Sequence, residues 1–181
     1  MVTMFFFPGV PTMNQTSNST HWQDTIAPAT VEAVQIRIVP HERKTGKGPP
    51  TPAPPFKAGD KFIFDLVVTN ISYVPVRVMI FDTYVQNRPQ LLMGGQELSY
   101  REEIEKVVKA SEHGTGEMLR LANIVLAPNE SGSAETVILN DWYNPLEPGH
   151  YQLTVQHRFD EGDKWIASPS YSFEVFPNPN K

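Results

Sequence analysis

The segment 146–159 constrains the fold most, because a Pro-Gly turn there precedes a run of strictly alternating residues. From residue 151 onward, one set of alternate positions is apolar apart from a histidine, and the other set is polar. The two sets are Tyr151, Leu153, Val155, His157 and Phe159 against Gln152, Thr154, Gln156 and Arg158. Because successive side chains of a strand point to opposite faces, the segment predicts a strand with one buried face. This pattern is typical of an antiparallel sheet that packs on one side.

Further segments with strand character are separated by turn residues. They are 31–39, 61–70, 74–85, 118–126, 134–139 and 164–176, the last interrupted at Ser168 and Pro169. Gly94 and Gly95 mark a turn. Short strands with regular turn signals predict an all-β sandwich of about seven to eight strands.

One stretch near 100–112 departs from the strand pattern. Its apolar residues recur at helical spacing at Tyr100, Ile104, Val107 and Val108. Glu102 with Lys106 and Glu105 with Lys109 form i,i+4 pairs in the favourable order. A short helix is therefore expected, and a pair of strands is the alternative because Val107 and Val108 are β-branched.

Composition divides the chain into a tail and a body. Residues 14–20 are almost wholly polar, and such a segment buries too little to offset its ordering entropy. We therefore predict a disordered tail over 1–28 and a single sandwich domain over 29–177. The 17 prolines are about twice the usual content, and six of them make 40–55 a solvated proline-rich loop.

Charge and hydropathy disfavour several function classes. The net charge of -5 argues against a nucleic-acid partner, which needs a basic face. No apolar run approaches the roughly 18 residues of a membrane span. The start of the chain is apolar around Phe6 but has no preceding basic residue, so it makes a poor signal peptide. There are no cysteines, hence no disulfide or Cys-ligated metal.

Several motifs together resemble the immunoglobulin-like β-sandwich modules of bacterial envelope and secreted proteins, including proteinase-inhibitor and adhesion-type sandwiches. The resemblance covers roughly residues 56–176, and the long proline-rich loop and the insertion at 100–120 depart from it. The motifs that carry it are Lys-Ala-Gly-Asp (57–60), Val-Thr-Asn (68–70), Leu-Ala-Pro-Asn-Glu-Ser (126–131), Asp-Trp-Tyr (141–143), Leu-Glu-Pro-Gly-His-Tyr (146–151) and Phe-Glu-Val (173–175). It implies a tyrosine corner at Tyr151, whose ring is buried and whose hydroxyl bonds to upstream backbone.

Candidate binding residues are sparse. An exposed tryptophan can anchor a partner or stack on a sugar, but Trp142 is expected to plug the core. Trp165 is expected to pack near Arg158 or Phe159, and the loop end carrying Tyr73, Asn129 and Trp165 is the candidate binding site.

No recognisable catalytic or metal motif is present. His150 and His157 fall on opposite faces of one strand, so they do not share a metal, and His157 is expected near the end of the core. The sequence lacks a His-Glu-x-x-His zinc motif and a Gly-x-Ser-x-Gly nucleophile elbow. We expect no enzyme activity, no metal and no cofactor.

The resemblance implies a non-catalytic accessory or binding module outside the cytoplasm, with a protein or glycan partner and an open oligomeric state. The alternative is a peptidase inhibitor that presents the loop 40–55 to a protease. An enzyme of unrecognised type is a third possibility, and it would require a deep pocket with convergent polar groups.

Overall fold

The computed structural model describes residues 26–41, 55–112, 122–159 and 164–179. Within these ranges the chain forms twelve strands and three helices. The strands are β1 (Ala27–Pro28), β2 (Val34–Pro40), β3 (Phe56–Lys57), β4 (Ile63–Asn70), β5 (Val76–Ile80), β6 (Asn87–Met93), β7 (Gln96–Glu97), β8 (Ala122–Leu126), β9 (Ser131–Ile138), β10 (Gly149–His157), β11 (Ile166–Ala167) and β12 (Tyr171–Phe176). The helices are α1 (Thr83–Gln86), α2 (Glu102–Glu112) and α3 (Leu139–Trp142). Of the predicted disordered tail 1–28, residues 1–25 lie outside the described residues, while Ala27–Pro28 form β1 and pair with β5, so the prediction is wrong for this end of the tail. Most of the proline-rich loop, 42–54, also lies outside the described residues.

The strands form three sheets. The largest has the order β3-β12-β10-β6-β7, with β11 also paired to β10, and the others are β2-β4-β9 and β1-β5-β8. Pairing is antiparallel except for β1 with β5 and β3 with β12. Eight of the strands have five or more residues, which agrees with the predicted number. The predicted all-β class is confirmed.

Aromatic rings join the largest sheet to the β2-β4-β9 sheet across the core. Phe64 of β4 lies 5.4 Å from Phe173 of β12, between ring centroids. Phe173 in turn stacks on Tyr151 of β10 at 5.4 Å. The alternation predicted for β10 is confirmed, because Tyr151, Leu153 and Val155 are buried while the residues between them are half-buried or exposed. The apolar faces of the two sheets therefore meet as in a β-sandwich.

The prediction of one strand over 74–85 is wrong. β5 ends at Ile80, and Asp82 then caps α1 by accepting a hydrogen bond of 2.9 Å from the Tyr84 amide. An aspartate at this position satisfies an otherwise unpaired amide of the first helical turn. This short helix turns the chain from the β5-β8 sheet into β6, which belongs to the largest sheet.

Pro89 explains why β6 was not predicted, since proline lacks the amide that a central strand donates. Val155 of β10 lies opposite Pro89, but its N–H donates to the Ser168 hydroxyl and its carbonyl accepts from the Ser168 amide. Val155 therefore needs no amide from Pro89. The Pro89 carbonyl accepts hydrogen bonds from the hydroxyls of Tyr100 at 2.8 Å and Tyr143 at 2.6 Å. Two phenols thus replace the missing neighbouring strand.

The helix predicted near 100–112 is confirmed as α2. Lys106 binds Glu102 at 2.6 Å and Lys109 binds Glu105 at 2.9 Å, as the spacing predicted. These pairs are exposed, so each contributes only a few tenths of a kcal/mol. The helix is held mainly by Ile104 and Val108, which are buried.

Candidate functional site

The turn between β4 and β5 carries the most exposed large apolar side chain among the described residues. Tyr73 is 99% exposed, and its neighbours Ile71 and Val74 are 53% and 44% exposed. Val125, on the adjoining strand β8, is also 44% exposed. We call Ile71, Tyr73, Val74 and Val125 the apolar tip. Exposed apolar groups clustered in this way mark contact surfaces more often than single ones do.

A buried asparagine holds this turn in place. Asn70 has no exposed surface, and its side-chain amide donates to the carbonyls of Val74 at 2.8 Å and Leu126 at 3.0 Å. Its side-chain oxygen accepts from both the amide and the hydroxyl of Ser72, each at 2.8 Å. The side-chain nitrogen and oxygen of Asn70 are therefore both engaged within the protein.

The structure places Asn129 next to the same turn. The backbone N–H of Asn129 donates to the backbone carbonyl of Asn70 at 2.9 Å, and the backbone N–H of Asn70 donates to the backbone carbonyl of Glu130 at 2.9 Å. Asn129 has a φ of 63°, in the left-handed region that asparagine tolerates better than most residues. Tyr73 and Asn129 thus lie on turns that share one backbone network, as their predicted assignment to one end of the sandwich requires.

Trp165 lies instead beside strands β6 and β10. It is 36% exposed, and the guanidinium carbons of Arg88 and Arg158 lie 4.9 and 5.1 Å from its ring centroid. The predicted packing of Trp165 near Arg158 is confirmed. The two cations hold the ring by cation–π attraction, so its environment differs from that of the Asn70 turn.

Tyr151 has the predicted tyrosine geometry. Its ring is 2% exposed, and its hydroxyl donates to the Glu147 carbonyl at 2.7 Å, four residues upstream. Burial raises the pKa of this phenol, because the charged form would lose its hydration.

Trp142 is buried, as predicted. It lies at the end of α3, and its ring contacts Tyr84 at 4.9 Å and Tyr100 at 5.3 Å between centroids. The indole therefore joins α1, α3 and the segment before α2. Tyr100 is buried enough for its pKa to rise to about 12, so the cluster stays uncharged.

Removal of the Tyr151 hydroxyl tests the geometry of this corner. We expect Tyr151→Phe to lower the free energy of unfolding by about 1 kcal/mol, because the hydrogen bond from the Tyr151 hydroxyl to the Glu147 carbonyl is lost. Tyr171→Phe is the matched control, since the Tyr171 hydroxyl makes no hydrogen bond within the described ranges. Urea denaturation of the three proteins measures the difference, and equal losses for both variants would contradict the assigned role.

A buried polar cluster at the start of β6 was not predicted. His157 is 1% exposed, and its Nδ1 lies 2.7 Å from the Asn87 side-chain oxygen. The Asn87 amide nitrogen in turn donates to Thr83 and to the Glu135 carboxylate. Burial lowers the pKa of His157 to about 3 and raises the pKa of Glu135. The burial of His157 could be predicted from its position on the apolar face of β10, but no sequence pattern indicated that Asn87 is its partner.

Arg88, the next residue of β6, is also buried. Its guanidinium donates to the carbonyls of Tyr84 at 2.6 Å and Asn87 at 2.7 Å, and to the Ser111 hydroxyl at 2.8 Å. The Nε atom lies 3.5 Å from a Glu112 oxygen and makes no hydrogen bond to any residue that the structure describes. Desolvation lowers the pKa of Arg88, and this effect exceeds the opposing attraction to Glu112. The side chain ties β6 to α1 and α2.

Two features are absent from residues 26–41, 55–112, 122–159 and 164–179. No group of three or more histidine, aspartate or glutamate side chains in these ranges has metal-binding geometry. None of the helices found there has the length and apolar character needed to cross a bilayer. Comparison of the sequence with protein-family models and with curated proteins finds no match.

Proposed function

We propose that the protein is a non-catalytic binding module that contacts a protein partner through the apolar tip. The observation that carries this proposal is the fully exposed ring of Tyr73 on a turn fixed by the buried amide of Asn70. Leaving a large aromatic side chain in water is unfavourable, and a partner that covers it recovers that free energy.

The rigidity of the turn supports a recognition role. Ser72 and Val74 are already held by Asn70, so little backbone entropy remains to be lost on binding. Tyrosine is a frequent binding hot spot because it combines a large apolar area with few rotatable bonds. The flanking aliphatic side chains of the tip would exclude water around such a contact.

We assign the sandwich to the immunoglobulin-like type. In such folds the strand carrying the tyrosine corner lies between two strands of one sheet, and the early strand of the other sheet lies between its own two neighbours. Here β10 lies between β12 and β6, and β4 lies between β2 and β9, which supports the assignment. The hydrogen bond of Tyr151 to Glu147 is a second support. An extracytoplasmic location and an accessory role follow by fold analogy.

The proposal predicts that Tyr73→Ala weakens partner binding with little effect on stability. A photo-crosslinking aromatic residue at position 73, introduced into the full chain, identifies the partner in envelope extract, and titration calorimetry then measures affinity. We expect Tyr73→Ala to weaken binding by about tenfold or more, as for a hot-spot aromatic residue. The free energy of unfolding should change by less than about 0.5 kcal/mol, because the ring is solvated.

Two valines of equal exposure provide the control. Val74 in the apolar tip and Val107 on α2 are both 44% exposed. Val74→Ala should weaken binding and Val107→Ala should leave it unchanged. Binding that tolerates Tyr73→Ala, or that responds equally to the two valine variants, would exclude the apolar tip as the contact surface.

A further inference from the structure

The outer face of the largest sheet is polar and uncharged along the middle of its central strand. Along β10 the side chains opposite the core are those of Gln152, Thr154 and Gln156, which are half-buried or exposed. Gln90 of β6 lies beside Thr154, and Ser172 of β12 lies beside Gln152. A central strand with partners on both sides is a rigid floor, which favours a preformed binding surface.

Two hollows lie over this face. One, of about 480 Å³, is lined by Gln152 and Ser172, with Leu92 of β6. The other, of about 520 Å³, lies between Gln90, Gln156 and helix α2. Because Leu92 pairs with Gln152 and Gln90 pairs with Thr154, the hollows adjoin along one ladder of the sheet. The six strand steps between positions 150 and 156 that run beneath the two hollows span about 20 Å, and we call this strip of the sheet with its hollows the groove.

The groove offers unused hydrogen-bonding groups. The side-chain amides of Gln90, Gln152 and Gln156 make no hydrogen bond to any described part of the chain. Each amide both donates and accepts, and such groups match hydroxyls, which also do both. Trp165, 36% exposed, lies at the Gln156 end of the face, and Phe176, 41% exposed, lies on β12 toward the other end.

The charges around the groove select against an anionic ligand. Glu97, Glu105 and Glu112 line the hollow beside α2, and they would repel a phosphate or a uronic acid. Arg88 lies there as well, but its guanidinium is already engaged by two carbonyls, Ser111 and Trp165.

We propose that this groove binds a neutral polysaccharide chain, with the three glutamines bonding to hydroxyls and the exposed ring of Phe176 stacking on a sugar face at one end. An uncharged, hydroxyl-rich, linear ligand satisfies the amides without opposing the carboxylates. The site is separate from the apolar tip, so it goes beyond the function proposed above and is tested with different variants.

Affinity electrophoresis of the full chain in gels containing a soluble α-glucan, β-glucan, xylan, galactomannan or chitin oligosaccharide tests the proposal. We expect retardation by at least one polymer. The triple variant Gln90→Ala, Gln152→Ala, Gln156→Ala should weaken binding by about a hundredfold, because each of the three lost hydrogen bonds contributes about a fivefold change. Gln35→Ala, at an exposed position of β2 on the other sheet, is the matched control and should bind as the wild type does.

Three outcomes would overturn the proposal. They are no retardation by any polymer, equal weakening by the triple variant and by Gln35→Ala, and unchanged binding in a triple variant shown to be folded by circular dichroism. A fourth is binding of polylysine that competes with the polysaccharide and is abolished by salt, which would assign the groove to a cationic peptide held by the glutamates. Tyr73→Ala should leave polysaccharide retardation unchanged, so the two proposals fail independently.

Discussion

Trp142→Ala is expected to lower the free energy of unfolding by about 3–5 kcal/mol, the range for large aromatic side chains lost from a core. The indole is 1% exposed and contacts the rings of Tyr84 and Tyr100, so its removal leaves a cavity between α1, α3 and the segment before α2. The whole free energy of unfolding of such a domain is only about 5–15 kcal/mol, so this loss is a large share of it. Urea unfolding followed by circular dichroism measures the loss.

Trp165→Ala is the matched control, since the same substitution there removes a ring that is 36% exposed. We expect it to cost about 1 kcal/mol, from the cation–π contacts with Arg88 and Arg158. A larger loss at position 165 than at 142 would mean that the aromatic cluster around Trp142 does not hold the helices to the sandwich.

Acidification from pH 7 to pH 5 is expected to destabilise the protein by about 2 kcal/mol through His157. Burial lowers the pKa of the folded-state imidazole from its usual 6.5 to about 3. Between these two pH values the imidazole binds a proton in the unfolded chain but stays neutral in the native state. The stability contributed by the neutral imidazole is therefore fully present above pH 6.5 and is lost progressively as the pH falls toward 3.

His157→Gln isolates this effect, because glutamine retains a hydrogen-bonding group toward Asn87 and does not titrate. The free energy of unfolding of this variant should fall by about 2 kcal/mol less than that of the wild type between pH 7 and pH 5. Glu135 acts in the opposite direction, because its raised pKa means that the native state binds a proton more readily than the unfolded chain does. Protonation of this carboxyl therefore offsets part of the destabilisation by His157 at the acidic end of the profile. Parallel pH profiles for wild type and variant would exclude His157 as the origin.

The alternation of 151–159 was enough to predict strand β10, its buried face and the burial of His157. Tyr151 was predicted as a corner from its place after a turn, and its hydrogen bond to Glu147 is local, only four residues away. Helix α2 was predicted from the spacing of its apolar residues and its glutamate–lysine pairs. In each case the cause lies within a few residues along the chain.

Strand β6 could not be predicted in the same way. A proline in a strand is unfavourable unless its neighbours require no amide from it, and here Val155 meets that condition because its peptide groups bond to Ser168. The hydroxyls of Tyr100 and Tyr143 then satisfy the Pro89 carbonyl. The position of Trp165 depends similarly on Arg88, which lies more than seventy residues earlier in the sequence.

The sequence by itself determined the fold class, the buried face of β10 and the helix α2, because side-chain alternation and spacing act locally. Only the tertiary structure decided which side chains share an environment. It buried Asn70 so that Tyr73 is held outward, paired His157 with Asn87, and aligned the glutamines of β6 and β10 on one face. These arrangements depend on strand pairing between distant segments, and the pairing is set by packing of the whole core rather than by any local pattern.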